Sequence, residues 1–439
     1  MQDAQKASVG NFRWVICALL FFATTINYVD RAVFGVLEPT LKEAVGWTAT
    51  QFGDINAQFN LAYAIGFLFA GWMIDKLGVR LGYTISLVVW SFAAAAHAFA
   101  RTGSEFATAR FALGLGEAGN FPAAIKTVAE WFPRKERALA TGVFNAGANI
   151  GAIIAPWVVP IIALRWGWQY AFVGTGLAGL LWVVFWWPIY RRPREHPRLS
   201  AEELAYIESD PPDPPVKIRW RELLPYRQTW AFAIGKFLTD AIWWFYVFWF
   251  GKFTNEQFGV DLKTIGPPMI TVFLMADVGS VFGGWQSSWL LRRGWSVNAA
   301  RKTAMLTCAI CVVPVVAAPL VKGTYMLPGG FSIDALWIAV LLIGLAAAAH
   351  QGFSANMFTL ASDMFPRYAV ASVVGIGGFA GAMGGYLMNR GAGRLKDLTG
   401  NYFGMFAIAA SAYLLALLII HLLVPRLEPV DPQASESAA

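Results

Sequence analysis

Four ionisable side chains stand inside long apolar runs. Asp30 and Arg31 lie in the run that begins at Trp14, and Arg110 and Glu117 lie in the run near 104–129. A charge at the centre of a membrane helix costs about 2.5–3.5 kcal/mol on insertion scales, so one that is kept there is a functional candidate. Arg110 and Glu117 are two helical turns apart, which puts them on one face, roughly 10 Å apart along the axis. Asp30 and Arg31 are neighbours, project about 100° apart and need not pair with each other. Two cations and two acids are thus expected to face one cavity. A guanidinium holds a carboxylate through two parallel hydrogen bonds, so Arg31 and Arg110 are candidate ligands for an organic anion. Burial favours a protonated carboxyl and a nearby arginine opposes it, so Asp30 and Glu117 are candidate proton carriers. An arriving anion would change which partner each arginine takes. The alternative is a structural salt-bridge network that never meets a substrate.

A hydroxylated substrate also needs neutral hydrogen-bonding groups and flat apolar surfaces. Tyr28, Tyr63, Asn145, Asn149, Trp243, Trp244, Gln351, Ser354 and Asn356 lie in apolar runs and are of the right types; hydrogen bonding between helices is the competing use. Asp240 and Asp277 could carry a proton or brace a contact, with bracing the favoured reading. His350 could titrate near neutral pH or simply pack. Asp75, Arg80, Glu130 and Arg137 fall at ends of apolar runs, where a charge cluster could latch and release two moving bodies or merely set topology. No catalytic group or metal site is expected. His97, His196, His350 and His421 are scattered, and Cys17, Cys308 and Cys311 sit among apolar residues despite the Cys308-x-x-Cys311 spacing. The glycines Gly375, Gly377, Gly378, Gly381, Gly384 and Gly385 suit close helix approach and lack the Lys-Ser/Thr sequel of a phosphate loop. No cofactor is expected, and ATP drive has no support.

These residues need membrane helices to hold them. The chain has 439 residues, of which 57% are hydrophobic and only 14% charged, against roughly 25% charged in soluble domains. Its 20 Trp and 33 Phe suit rings at membrane interfaces. The net charge of +7 is spread over short runs between apolar segments, so nucleic acid is not an expected partner. Spans of about 20 residues are expected at 13–36, 51–74, 82–100, 104–129, 139–163, 168–189, 229–253, 266–290, 301–321, 335–363, 371–393 and 402–424. The fold class is therefore all-α integral membrane with twelve transmembrane helices. Lys76, Arg80, Arg134, Lys135, Arg137, Arg191, Arg192, Arg194, Arg292, Arg293, Lys302 and Arg367 mark one side as cytoplasmic, with both termini there. Arg390, Arg394 and Lys396 depart from that pattern. No cleavable leader is expected at the polar start of the chain.

The segment 190–228 is the longest polar stretch. Ser200-Ala-Glu-Glu-Leu predicts one short helix, and Pro211, Pro212, Pro214 and Pro215 an extended linker, with no chemistry assigned to either. It would separate a half at 1–189 from a half at 229–439. Glu130-Trp-Phe-Pro-Arg recurs as Asp363-Met-Phe-Pro-Arg, and Gly142 and Gly151 recur at the same offset as Gly375 and Gly384. Duplicated halves with a site between them are a recurring transporter design.

Gly71-Trp-Met-Ile-Asp75-Lys76-Leu-Gly78-Val-Arg80 resembles the signature loop of the major facilitator superfamily. Three further stretches, Asn27-Tyr28-Val-Asp30-Arg31, Arg110 through Glu117 to Pro122, and His196 through Ile207, resemble its anion:cation symporter family. That family includes bacterial hexuronate and sugar-acid transporters and the animal vesicular glutamate transporters. The resemblance implies two pseudo-symmetric six-helix halves, a proton-coupled symporter for an organic carboxylate driven by the proton gradient, and roles in binding and coupling for Asp30, Arg31, Arg110 and Glu117. Its closest branch implies import of a hexuronate or aldonate across the bacterial inner membrane by a monomer. Ser288 stands where the first-half loop has Asp75, a departure at the second-half gate. Another small carboxylate, such as a dicarboxylate or aromatic acid, is a rival substrate. A sensor that has lost transport is a rival class, and an enzyme is the weakest.

Overall fold

The computed structural model describes residues 10–209, 220–326 and 332–430. The proline segment Pro211–Pro215 and the side chains of Arg134, Lys135 and Arg367 lie outside the described residues. The N-terminal helices are α1 (Phe12–Val36), α2 (Glu38–Val45), α3 (Ala49–Leu77), α4 (Val79–Ala96), α5 (Gly103–Glu117), α6 (Asn120–Trp131), α7 (Arg134–Trp166) and α8 (Trp168–Ile189). Two short helices follow, α9 (Ala201–Ile207) and α10 (Trp220–Leu223). The C-terminal helices are α11 (Arg227–Phe258), α12 (Gly266–Arg292), α13 (Val297–Val312), α14 (Ala335–Met364), α15 (Arg367–Thr399) and α16 (Phe403–Leu423). Their outer faces expose Trp157, Leu177, Val184, Val278, Val281 and Leu422, as lipid-facing surfaces do.

Helix falls on every predicted span, and ten of the helices described are long and apolar enough to cross a membrane. The fourth and eleventh predicted spans are not among the ten. The fourth, expected as one helix, is two: α5 ends at Glu117 and α6 starts at Asn120. The break lets Gly116 and Gly119 lie against Trp90 and Ser86 of α4. The ninth tightens into a 3-10 turn at Val313–Ala317. A small antiparallel ribbon, Thr324–Met326 with Ser332–Asp334, joins it to α14, an exception to the all-helical expectation.

Local signals explain the boundaries. Thr48 and Thr102 begin α3 and α5 with reciprocal capping boxes to Gln51 and Glu105, which satisfy otherwise orphaned backbone donors. Gly78 turns α3 directly into α4 at φ +79, a conformation that L side chains rarely adopt. The two Phe-Pro-Arg repeats have the same backbone. Phe132 (φ −127, ψ 134) and Phe365 (φ −123, ψ 146) end one helix. Pro133 and Pro366, at ψ 152 and 151, cap α7 and α15, each of 33 residues.

The seam between the N-terminal and C-terminal helices is closed at one end. There Lys252 pairs with Glu38 at 2.7 Å, each side chain 1% exposed. Lys42 pairs with Glu256 at 2.8 Å and Arg390 with Asp54 at 2.8 Å. The Thr50 amide donates to Asp397 at 2.7 Å, and Gly266 of α12 meets Pro156 O of α7. At the other end, toward Asp75, the positions of Gly71, Gly142 and Gly284 have no neighbour within 4 Å of where a Cβ would stand. Asn145 and Asn149 lie three turns and two turns before Pro156 on the same face of α7, and Asn145 is exposed. That face meets α12 at Pro156 and is uncovered at Asn145.

Candidate functional site

Arg31 and Glu117 meet in the middle of the N-terminal helices. Arg31 donates from Nε at 2.9 Å and from a terminal nitrogen at 2.7 Å to one oxygen of Glu117, and to Asn27 Oδ1 at 3.2 Å. The other Glu117 oxygen has no hydrogen-bond partner among the described residues. The Arg31 guanidinium is caged by rings: Tyr28 at 4.6 Å, Tyr63 at 5.0 Å, Trp244 at 5.1 Å and Phe59 at 5.5 Å to the centroids. The expected grouping of Arg31, Tyr28, Tyr63 and Trp244 is thus one cluster, and Trp244 reaches it from the C-terminal helices.

Arg110 is fully buried and donates to Asn56 Oδ1 at 3.0 Å. Its Nε and second terminal nitrogen have no hydrogen-bond partner among the described residues. Phe34, Phe59 and Phe248 surround it at 4.8, 4.8 and 4.9 Å. Buried donors normally find acceptors, so a guanidinium with open donors has the chemistry to take an anion.

Asp30 does not join this cluster. It is buried and lies beside Thr175 of α8, and neither of its oxygens has a normal hydrogen bond among the described residues. The 100° step from Arg31 turns it toward α8 instead of the seam, so only three of the four charges expected around one cavity are there. Trp243 likewise turns away from Trp244 and stacks on His350 at 4.9 Å. His350 accepts or donates at 2.8 Å with Tyr413, which makes it a packed histidine with a partner. Asn356 bridges α12 and α14 through Gly283 O at 3.1 Å, and its Oδ1 has no partner among the described residues. Ser354 is buried, Gln351 half-buried on the same helix, and Asp277 half-buried on α12.

The four end charges keep the following bonds within the N-terminal helices. Asp75 pairs with Lys126 at 2.7 Å. Arg80 donates to Trp187 O and stacks on the Trp187 ring at 4.4 Å. Glu130 accepts from Tyr190 at 2.6 Å. Arg137 donates to Phe132 O and Ala129 O, both at 3.0 Å. The ion pairs Lys252–Glu38, Lys42–Glu256 and Arg390–Asp54, which link the two sets of helices, lie at the Glu38 end.

Sequence reasoning missed several groups. Asn56 and Asn60, four residues apart on α3, are fully buried at the seam; Asn56 holds Arg110, and neither polar atom of Asn60 has a partner among the described residues. Lys236 pairs with Asp240 at 2.8 Å one turn apart in mid-α11, a pair within one helix and not a contact between the two halves. Both i, i+4 spacings are visible in the sequence. α11 in fact shows one ladder: Lys236, Asp240, Trp244, Phe248 and Lys252. Its last three members touch Arg31, Arg110 and Glu38 in turn. Glu203 of the supposedly inert α9 is 2% exposed and accepts from the Phe12 and Arg13 amides and the Arg13 guanidinium, each at 3.1 Å.

The Major Facilitator Superfamily family description matches residues 20–389. A hexuronate transporter of Escherichia coli (strain K12) is 31% identical over 419 residues, 94% of each chain. A galacturonate transporter of Dickeya chrysanthemi is 31% identical over 70% of this chain and 90% of its own. The crystal structure of a D-xylose-proton symporter shares the fold with a TM-score of 0.73 at 15% identity, covering 96% of this chain and 100% of its own. These likenesses and the ten apolar helices identify a multi-pass membrane transport protein, not an enzyme. The chain belongs to the Major Facilitator Superfamily, in the branch that holds the hexuronate and galacturonate transporters.

Proposed function

We propose that this protein is a proton-coupled symporter that imports a sugar acid, a hexuronate or an aldonate, by alternating access. The observation that carries the reading is Arg110: fully buried, with two donor nitrogens open, two turns from a glutamate already held by a second arginine. A substrate carboxylate that takes those donors adds negative charge beside Glu117, which favours Glu117 taking up a proton. Charge entering with the anion is thereby balanced by a proton. Asp30, buried one residue from Arg31, is the second proton carrier of the proposal. Tyr28, Tyr63 and Trp244 form the apolar walls, and Asn145, Gln351 and Ser354 are polar residues along the route. The names of the relatives support the substrate class.

In this reading the halves 1–189 and 229–439 rock about the site, joined by 190–228, as one monomer in the inner membrane. The basic loops and both termini are cytoplasmic. The Glu38 end is then periplasmic and sealed, and the cleft faces the cytoplasm. Asp75, Arg80, Glu130 and Arg137 exchange their present partners for the opposite half when the cleft closes. Purified protein in proteoliposomes tests the reading. An inward proton gradient should concentrate galacturonate without sodium, and Arg110→Lys should abolish uptake despite keeping its charge. Glu117→Gln should bind but not concentrate. Uptake of neutral hexoses indifferent to Arg110, or accumulation driven only by sodium, overturns it.

A further inference from the structure

We infer that the Lys236–Asp240 ion pair is the hydroxyl-recognising end of the central site, and that Asp240 restricts the site to substrates with a single carboxylate. This rests on the sugar-acid reading above and narrows it.

Position comes first. On the α11 ladder Trp244 covers Arg31 at 5.1 Å. Asp240 and Lys236 follow one and two turns further toward the open end, about 6 and 12 Å along the axis. One face of α15 fixes their direction. Gly385 meets Asn60 and Trp244, Gly378 faces Phe67 of α3, and a Cβ on Gly381, between them, would stand 2.9 Å from the Asp240 carboxyl carbon. The pair therefore lies on the same seam as the residues around Arg31. Its side chains are 9% and 17% exposed, so the pair is mostly buried at the seam and keeps a little accessible surface. Lys236 also sits over Phe358 of α14 at 4.8 Å. Gln351 and Ser354 are seven and four residues before Phe358, on its face.

Stability does not account for the pair. An i, i+4 ion pair contributes about 0.3–0.5 kcal/mol on a helix, less than the cost of placing either charge in mid-span. Chemistry does. An ammonium offers only donors and a carboxylate only acceptors, so neighbouring hydroxyls of a sugar can accept from Lys236 and donate to Asp240 at once. The pair is neutral overall and leaves the substrate carboxylate to the arginines. A second carboxylate at the far end, as in an aldarate, meets Asp240 as a like charge, and the neighbouring cation Lys236 is already paired with Asp240.

The test measures ligand-induced thermal shifts of the purified full chain with galacturonate and with galactarate. The wild type should bind galacturonate at least about tenfold more tightly than galactarate. Asp240→Asn should move that ratio about tenfold toward galactarate. If the single variant lowers the ligand-free melting temperature too far to titrate, the double variant Lys236→Met with Asp240→Leu, which leaves no orphaned charge, should show the same loss of discrimination. A wild type that binds both acids equally, or a ratio unchanged in both variants, overturns the inference while Arg110-dependent binding leaves the parent reading standing. Absence of any Arg110-dependent sugar-acid binding overturns the parent reading and this inference with it.

Discussion

Removing Lys252 should unseal the Glu38 end. Glu38 and Lys252 are both 1% exposed and lie 2.7 Å apart across the seam between α2 and α11. Among the described residues one Glu38 oxygen has a hydrogen-bond partner, Lys252. Lys252→Met keeps the apolar stem and leaves the Glu38 carboxylate without its hydrogen-bonded cation, while Glu256, which Lys252 also meets at 2.9 Å, keeps Lys42 and Lys396. Stripping one partner from a buried pair costs about 3–5 kcal/mol. The closed seam bears that cost, whereas a parted seam returns Glu38 to water. At about 1.4 kcal/mol per factor of ten, the equilibrium between sealed and open ends should shift by roughly two to three orders of magnitude. Glu38→Leu on top of Lys252→Met removes the orphan, and replacing a whole buried pair by apolar residues is often neutral. The double variant should therefore seal again.

A cysteine reporter reads this directly. Ala49 is 7% exposed under α15 at the sealed end, and Cys17, Cys308 and Cys311 can be replaced by alanine or serine beforehand. Ala49→Cys should label slowly with a membrane-impermeant maleimide in the parent, about a hundredfold faster with Lys252→Met, and slowly again in the double variant. Equal labelling in parent and Lys252→Met would falsify the seal. A double variant as reactive as the single one would show that lost packing, not the orphaned charge, opens the seam.

Four further outcomes follow from particular residues. Glu203→Gln weakens three charge-assisted bonds to the start of α1, and amides of Ala201–Ile207 should exchange hydrogen about ten times faster or more. His196 packs against Phe12 with ring centroids 4.4 Å apart, accepts from the Arg198 amide and donates to Ile189 O at 2.9 Å, which requires the neutral ring. Burial holds it below its usual 6.5, so the unfolded ring takes a proton first as pH falls. The docking of this segment should be fully stable above pH 6.5 and weaken below it, read as exchange at Arg198, with His196→Phe flattening the profile. Gly116→Val places its Cβ 2.6 Å from the Trp90 amide nitrogen and should prevent assembly of α4 with α5. Gly71→Ala meets nothing within 4 Å, and its melting temperature should stay within a degree or two of the parent, since surface changes are worth about 0.5 kcal/mol or less.

Hydropathy alone located the helices, because an apolar run of spanning length has no other use in a chain this poor in charge. The Phe-Pro-Arg repeat located the pseudo-symmetry, because proline forces the same extended break at Pro133 and Pro366. Arg31, Glu117 and Arg110 were legible for a similar reason: charge inside such a run is conspicuous. Direction was not legible. A single helical step decides that Arg31 faces the seam and Asp30 faces Thr175, and which face of α1 packs on α8 is a tertiary fact. The break after Glu117 was hidden because two glycines in a membrane helix usually mark close approach, and here they mark both approach and termination. Glu38, Lys42, Lys252 and Glu256 read as ordinary loop and end charges. Their pairing depends on α2 folding back to meet α11, for which no local pattern exists.

The α11 ladder ties the site to the seal in a way neither feature shows alone. Of the three rings around Arg110, Phe34 and Phe59 belong to the N-terminal helices and Phe248 to α11. Of the four around Arg31, only Trp244 belongs to α11. On the proposed function, an anion approaching from the open end meets Lys236 and Asp240 first, and displaces the α11 rings to reach the open donors of Arg110. A helix is stiff over two turns, and packed side chains are bistable more than deformable. Displacing Trp244 and Phe248 therefore moves Lys252, one turn beyond Phe248, relative to Glu38. Ligand entry at one end and loosening of the ion pair at the other are movements of the same helix. On the proposed function, the arginines supply affinity, and the aromatic rungs between them and Lys252 convert occupancy into a change at the seam.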